Sequence, residues 1–522
     1  MMKLKTAPIT ILRLLVLLLS GGGWTCAWSE EPRFDILEFV VEGNTTLSAP
    51  AIEAAVYPYL GEGKTIADAE AARVALEKAY HQGGFLTVFV YLPDQKVEGG
   101  AVRLQVAEGE VERLRVSGSR YYSLGEIKAR VPELAEGKVP YFPDVQRQLA
   151  GLSRAADRKL TPVLRAGREP GKVEVELKVA DQAPLHGSVV LNDRYSADTS
   201  RTRLAGSIRW DNLWQRDHSL GFSYQVAPQD PDDSKALSAT YSAPLTSGHY
   251  LAAYAVLTES DVATLGTLGV IGNGTIIGLR YILPLRARPH LVHSLTLGVD
   301  YKDFDQTVRL QGADSFNTPI RYLPFSLAWD GTWGGEAGTR LNLGVHFHLR
   351  ELVGKDSEFA NKRFKGSSGY AFLRGSLTRN WRQASGAELS LRAGFQLADQ
   401  PLISNEGYAL GGTDTVRGYL ESEVLGDRGL NVGVEWQSPP WSGVAKTGEW
   451  RALAFLEGGR AWVIDPQAGQ VDRYSLAGAG LGLRFRSAAG IDGGLDLAWP
   501  LEDAGRTRAG DGRLHARLGY SF

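Results

Sequence analysis

The sequence predicts a mainly β protein: two small α+β units followed by a 16-stranded antiparallel transmembrane β-barrel. Three observations carry this prediction. Residues 34–181 mix helical and strand periodicities in an order that occurs twice. Past residue 184 helical spacing stops, and apolar and polar residues alternate with period two. The connections between these alternating segments are long and short in turn, the asymmetry of outer loops against periplasmic turns in a bacterial barrel. A soluble sandwich has no reason to show it.

Length and composition agree. A chain of 522 residues is too long for one ordinary core. Its net charge of -2 argues against a nucleic-acid partner. Sixty-one glycines and twelve tryptophans against two methionines suit tight turns and interfacial aromatic girdles.

Residues 1–29 read as an export signal, with Lys3, Lys5 and Arg13 at the start, an apolar core over 14–19, and Ala27-Trp28-Ser29 as a small-x-small cleavage site. The apolar run is too short to span a bilayer. Cys26 is the only cysteine. Cleavage after Ser29 leaves a mature chain without disulfides, thiol nucleophiles or cysteine-based metal sites. No later apolar run has transmembrane-helix length, which is compatible with a barrel whose strands alternate.

In order, residues 34–41 are strand-like and end at a Gly43-Asn44 turn. Residues 48–60 have helical spacing, with Ser48 as candidate cap and Pro50 in the first turn. Residues 67–80 form a second amphipathic helix closed by Gly83-Gly84, and strands follow at 85–92 and 101–106. The same β-α-α-β-β order returns as a strand at 111–116, helices at 124–131 and 143–157, and strands at 162–165 and 173–179. Val40-Val41-Glu42-Gly43-Asn44, Tyr80-His81-Gln82-Gly83-Gly84-Phe85, Leu92-Pro93-Asp94-Gln95-Lys96-Val97 and Val106-Ala107-Glu108-Gly109 resemble polypeptide-transport-associated (POTRA) domains. They are most similar to those of TpsB outer-membrane translocators of two-partner secretion, the ShlB/FhaC/HecB type. The resemblance implies POTRA domains at 34–109 and 110–182 and a barrel over 183–522.

Strands of the barrel are expected near 187–195, 202–212, 217–226, 236–243, 249–259, 273–283, 293–302, 321–331, 338–350, 369–379, 386–397, 429–437, 449–457, 476–486, 490–499 and 512–522. That makes sixteen, each near the ~9–11 residues a tilted spanning strand needs. In the last, Leu514, Ala516, Leu518, Tyr520 and Phe522 point one way and Arg513, His515, Arg517, Gly519 and Ser521 the other. A chain ending on outward Tyr520 and Phe522 resembles the targeting signal of outer-membrane barrels.

The longest interval between strands carries Gly411-Gly412-Thr413-Asp414-Thr415-Val416-Arg417-Gly418-Tyr419 and then Gly426-Asp427-Arg428-Gly429. So many glycines suit a loop folded back into a confined space rather than a tip in water. Arg417 would then need a buried acidic partner, because an unpaired buried charge is very costly. Val416-Arg417-Gly418-Tyr419 is identical to the sixth-loop signature of the superfamily that includes TpsB and the barrel-assembly proteins. The resemblance implies that Arg417 pairs with an acidic residue on the thirteenth strand, within a Phe-x-Asp-x-Gly pattern. Here that run is Phe455-Leu456-Glu457-Gly458-Gly459, with glutamate for aspartate, so Glu457 is the expected partner on the barrel wall.

Other chemistry is sparse. His346 and His348 share a strand face with Asn342 and Arg350, which a hydrated lumen explains without a metal. No Ser/His/Asp arrangement or phosphate-binding glycine loop occurs, so no catalytic residue, metal or cofactor is expected. Arg392, Arg484, Arg486, Arg513, His515 and Arg517 would line the lumen. By resemblance the chain is a translocator in the outer membrane of a Gram-negative bacterium, with its POTRA domains in the periplasm. Its expected partners are a secreted TpsA-like exoprotein, outer-membrane lipid, and the assembly machinery that inserts the barrel. An assembly factor of the same superfamily is the alternative. Relatives carry an N-terminal helix that plugs the barrel; the few residues between Ser29 and Phe34 leave no place for it, so closure is expected to fall to the sixth loop.

Overall fold

The computed structural model describes residues 32–153, 156–260, 262–265, 268–271, 273–305, 307–309, 315–317, 319–335, 338–442 and 448–522. The export signal and Cys26 lie outside the described residues. The chain divides into two compact units. One takes residues up to Ser117 with Lys128–Arg154 and Leu160–Val179, and the other takes Gly118–Ile127, Ala155–Lys159 and Ala180–Phe522.

In the first unit, Glu38–Glu42 runs parallel to Ala101–Glu108, which pairs antiparallel with Val88–Tyr91. Helices α1 (Ala49–Val56) and α2 (Ile66–Gln82) supply Val56, Leu76 and Tyr80 to a core closed by Val88, Val90, Leu104 and Val106 from the sheet. A capping box starts α2, the Thr65 N–H donating to Asp68 at 2.8 Å. Ser48 precedes α1 but makes no side-chain cap; Pro50 in the first turn already lacks the N–H that such a cap would satisfy. The strand expected at 34–41 is broken at Leu37, and its first part, Phe34–Ile36, pairs with Gly61–Lys64.

The residues that carried the resemblance have physical work here. Glu108 accepts from the backbone N–H groups of Thr45 and Thr46 at 2.7 and 2.9 Å, pinning the turn after Glu42. Gln95 imitates a neighbouring strand: its amide accepts from Arg103 N–H at 2.7 Å and donates to Arg103 C=O at 2.8 Å.

The pattern then repeats. Glu110–Ser117 runs parallel to Lys172–Asp181 in a sheet completed by Arg158–Ala166, with α3 (Leu124–Ala129) and α4 (Phe142–Leu152) between. Helix α4 stops five residues before the expected 157, and the strand after it starts at Arg158 rather than 162.

The second unit contains a closed antiparallel barrel. Its sixteen strands begin with Leu185–Asn192 and Arg203–Leu213 and end with Ile491–Pro500 and Arg513–Ser521, which pairs back onto the first. The eighth is interrupted, as Ile320–Tyr322 and Phe325–Trp333. Leu397, Leu456, Leu481, Leu514 and Leu518 project outward and are exposed, as a lipid-facing wall requires. Trp210, Trp214, Trp381, Trp436 and Trp441, also exposed, gather at the short-turn end, the place of an interfacial girdle. No helix among the described residues is long and apolar enough to cross a membrane.

Candidate functional site

The sixth outer connection runs from Asp399 to Asp427 between the eleventh strand (Glu388–Ala398) and the twelfth (Arg428–Gln437). Its tip turns back inside the barrel. Positive φ angles at Gly411 (110°), Gly412 (97°) and Gly418 (98°) make the reversal, in a region side chains other than glycine rarely enter. Val416 and Tyr419 are fully buried, packed with Leu410, Val424, Ala461 and Leu476. The Tyr419 hydroxyl donates to the carbonyls of Ala477 (3.0 Å) and Glu502 (2.7 Å).

Arg417 is 2 % exposed. Its Nη2 and Nε lie 2.6 and 3.0 Å from Glu457 Oε1, and its own backbone N–H donates to Glu457 Oε2 at 2.8 Å. Glu457 sits on the thirteenth strand (Gly448–Trp462), facing inward. Two further carboxylates complete the cage: Asp496 on the fifteenth strand, 3.1 Å from Nη1, and Glu435 on the twelfth, 2.8 Å from Nη2. The guanidinium also stacks on the Phe455 ring, with its Cζ 3.5 Å from the centroid. Three carboxylates around one cation would be repulsive alone, and two more arginines from the wall offset them. Arg392 reaches Glu457 at 2.6 Å and Arg484 reaches Asp496 at 2.8 Å. Glu457 and Asp496 are each shared by two arginines, so within this cage no charge stands unpaired.

Glu435, Asp496 and Arg392 are partners that motif reading missed. Glu435 was within reach of period two, since it stands between outward Val434 and Trp436. The sixteenth strand adds His515, whose Nε2 accepts the Gly418 N–H at 3.2 Å, and Arg513, which donates to the Gly418 carbonyl at 3.3 Å.

The second half of the motif lies elsewhere. Buried Asp427 accepts the N–H groups of Leu402 (2.7 Å) and Ile464 (2.6 Å) and pairs with Arg363 at 3.0 Å, so it joins three outer loops. Gly426 and Gly429 permit close approach: a Cβ would stand 2.9 Å from Trp462 N at the first and 1.9 Å from the Tyr408 ring at the second. Tyr520 and Phe522 are remote from the loop, exposed on the outer wall with rings 6.1 Å apart. Phe522 exchanges two backbone hydrogen bonds with Gly187 at 3.0 and 3.1 Å where the barrel closes.

Below the loop lies a cavity of about 1020 Å³ lined by Arg392, Arg484, Arg486, His515 and Arg517 among other charged side chains. The hydrated surroundings expected are not found for His348, because that part of the lumen is packed with aromatic rings, while His346 is half-buried. His346 stacks on Phe372 at 4.9 Å, and His348 is buried with its Nδ1 against the Ser368 carbonyl. A cluster of Asp157, His186 and Asp211 is satisfied internally, with His186 on Asp157 at 2.9 Å and Arg209 on Asp211 at 2.8 Å.

A strand-built pore with mixed α+β units ahead of it and a loop fastened in its lumen defines an outer-membrane transporter. Residues 34–109 match the POTRA domain of ShlB type, and residues 327–485 match the haemolysin secretion/activation proteins ShlB/FhaC/HecB. By these matches the chain is similar to the TpsB transporters of two-partner secretion; it resides in the outer membrane and has its POTRA domain in the periplasm. It is 24 % identical over 523 residues to the outer membrane transporter CdiB of Escherichia coli strain 536, covering 95 % of this chain and 83 % of that one. It is 19 % identical over 435 residues to the heme/hemopexin transporter protein HuxB of Haemophilus influenzae strain 86-028NP, covering 79 % and 74 %. In fold it is similar to Escherichia coli CdiB (TM-score 0.65, 20 % identity, 95 % and 92 % covered). It is also similar to Haemophilus ducreyi BamA lacking POTRA domains 1–3 (TM-score 0.55, 13 % identity, 94 % and 100 % covered).

Proposed function

We propose that this transporter exports one large partner exoprotein of the TpsA class from periplasm to cell surface. In this reading 34–109 and 110–182 are two POTRA domains and 183–522 the pore. The observation that carries it is a free edge. Among the described residues Glu38–Glu42 pairs on one side only, with Ala101–Glu108. An extended segment of cargo can add there as a further strand, main-chain hydrogen bonds giving affinity with little demand on sequence. The cargo then enters the charged cavity, and the sixth loop shifts to let it pass. Val416, Arg417, Gly418, Tyr419, Gly426, Asp427 and Gly429 are the loop's working residues, with Glu457 as the wall partner that resets Arg417. Tyr520 and Phe522 direct the barrel's own insertion by the assembly machinery into outer-membrane lipid. Folding of cargo outside gives direction, without nucleotide.

The test compares secreted and outer-membrane proteomes of the native host with and without this protein. Loss of a single large secreted protein, other barrels unchanged, is the expected result and names the cargo. Broad depletion of outer-membrane barrels would overturn export and make the chain an assembly factor.

A further inference from the structure

The fifth outer connection, between the ninth strand (Thr339–Phe347) and the tenth (Ala371–Arg382), folds over the lumen and carries a short helix, α5 (Asp356–Lys362). Phe359, at its centre, is 1 % exposed. Its ring lies 5.6 Å from that of Tyr322, 5.8 Å from His348 and 6.2 Å from Tyr370. These rings belong to an apolar cluster that includes Val256 and Ile276, whose neighbours Leu257 and Ile277 face outward and are exposed. By strand alternation Val256 and Ile276 therefore face the lumen, so Phe359 is docked on the inside of the barrel wall. Leu402 and Ile403, from the start of the sixth loop, fill the same cluster.

Further contacts hold this connection. Arg363, just past α5, donates to Asp427 at 3.0 Å and to the Ile464 carbonyl at 2.7 Å. Gly354, just before it, has φ +79°, and a Cβ there would stand 2.2 Å from the Arg321 carbonyl, so only a glycine lets the loop lie this low. The backbone hydrogen bonds at the ends of α5, Glu358 N–H to Lys355 and Arg363 N–H to Phe359, stay within the loop. Past the helix, Lys365 pairs with Asp465 at 3.3 Å and Gln400 donates to the Ser367 carbonyl at 2.9 Å. The connection is thus seated by a buried aromatic side chain and polar side-chain contacts, not by a strand ladder. Such contacts can open without breaking the barrel.

We propose that α5 is a removable lid that closes the outer end of the lumen, with Phe359 as its pin and Arg363–Asp427 as its latch. It is separate from the Arg417 clamp, which rests on the twelfth, thirteenth and fifteenth strands. Because Asp427 ties α5 to the sixth and seventh outer loops, release of the sixth loop during passage also frees the lid. The proposal rests on the pore reading, and its first test does not need cargo.

Purified full-length protein is placed in planar bilayers, and Phe359→Ala/Arg363→Ala is compared with the parent. The expected result is a severalfold rise in open-state conductance or open time with the barrel still folded by heat-modifiability. Conductance equal to that of the parent in a folded double variant overturns the lid. Should that variant fail to fold, Phe359→Cys in a Cys26→Ser background decides the matter on whole cells with a membrane-impermeant maleimide. Protection at rest and labelling during export support the lid; full labelling at rest, with the pore closed, overturns it. If the conductance rises but deletion of the protein removes no secreted cargo, the lid stands and the export reading falls.

Discussion

The carbonyl oxygen of Arg417 stands 2.3 Å from where a Cβ on Gly478 would be. Gly478 lies on the fourteenth strand (Arg473–Ser487), on the inner wall, and its missing side chain is what lets the loop backbone lie against the barrel. Gly478→Ala should therefore leave the strand ladder intact and push the sixth loop off its seat, at an overpacking cost of about 1–3 kcal/mol. The measurement is protease nicking within residues 399–427 on intact cells, beside heat-modifiability of the barrel. Unchanged protection of the loop would show that the wall yields instead.

Arg417→Ala should be more damaging than Glu457→Gln. Removing the arginine leaves Glu457, Asp496 and Glu435 facing one another with only Arg392 and Arg484 to offset them. Breaking a buried pair this way costs on the order of 3–5 kcal/mol. Neutralising Glu457 still leaves Arg417 two carboxylates. Both variants should insert and lose export, and the double variant should be milder than the sum of the two. Additive effects, or normal export by Arg417→Ala, would remove the clamp from the mechanism.

Much of this architecture is legible in the sequence. Sixteen strands fall within a few residues of where period two puts them, because an outward residue in lipid and an inward one in a lumen differ sharply in hydropathy. The Gly61–Lys64 strand was not legible, since Gly-Glu-Gly-Lys has no strand character and is held only by pairing with Phe34–Ile36. Helix α5 was missed too: seven residues with one apolar pin give no helical period to read. At the site, Arg417 and Glu457 were readable as a motif. Asp496 and Arg484 come together only because antiparallel pairing sets Gly482 opposite Asp496, two residues before Arg484. His348 misled because alternation reports which face a residue is on, not whether that face is wet.

Acid should loosen the POTRA domain at 34–109 through Glu108. Burial pushes this carboxyl up, but the hydrogen bonds from Thr45 and Thr46 outweigh it and hold it below the usual carboxylate range. A group with a depressed folded pKa contributes stability that is fully present above its unfolded value, near 4.3, and is lost as pH falls through the folded one. Thermal unfolding of full-length protein followed at residues 34–109 should thus show a lower midpoint in mild acid, beginning near pH 4–5. Glu108→Gln should lower the midpoint at neutral pH and flatten the acid dependence. An undiminished acid dependence in that variant would assign the effect to other carboxylates.

Removing Phe522 should slow assembly. The seam between first and last strands has five paired residues, Arg517↔Asn192 to Ser521↔Ser188, against nine for the neighbouring Arg203–Leu213 and His218–Val226 pair. Phe522 extends that short seam through its two hydrogen bonds with Gly187 and covers that glycine with its ring. Pulse-labelled barrel lacking Phe522 should reach the heat-modifiable form more slowly and in lower yield. Phe522→Tyr, which keeps ring and backbone, should restore both; failure to do so would mean that the terminal residue is read by another partner, not by the seam.

Deleting residues 34–109 separates capture from passage. The unit has its own apolar core around Leu76, Tyr80, Val90 and Leu104, and the barrel ladder closes on strands that all lie after Leu185, so the shortened chain should still insert. Without Glu38–Glu42 the cargo loses its docking edge. Purified truncated protein should fail to retain an extended N-terminal cargo fragment that the full chain retains, while its pore conductance in bilayers stays measurable. Full retention by the truncated chain would move capture to the 110–182 unit, whose outer strand Arg158–Ala166 is also an edge of its sheet.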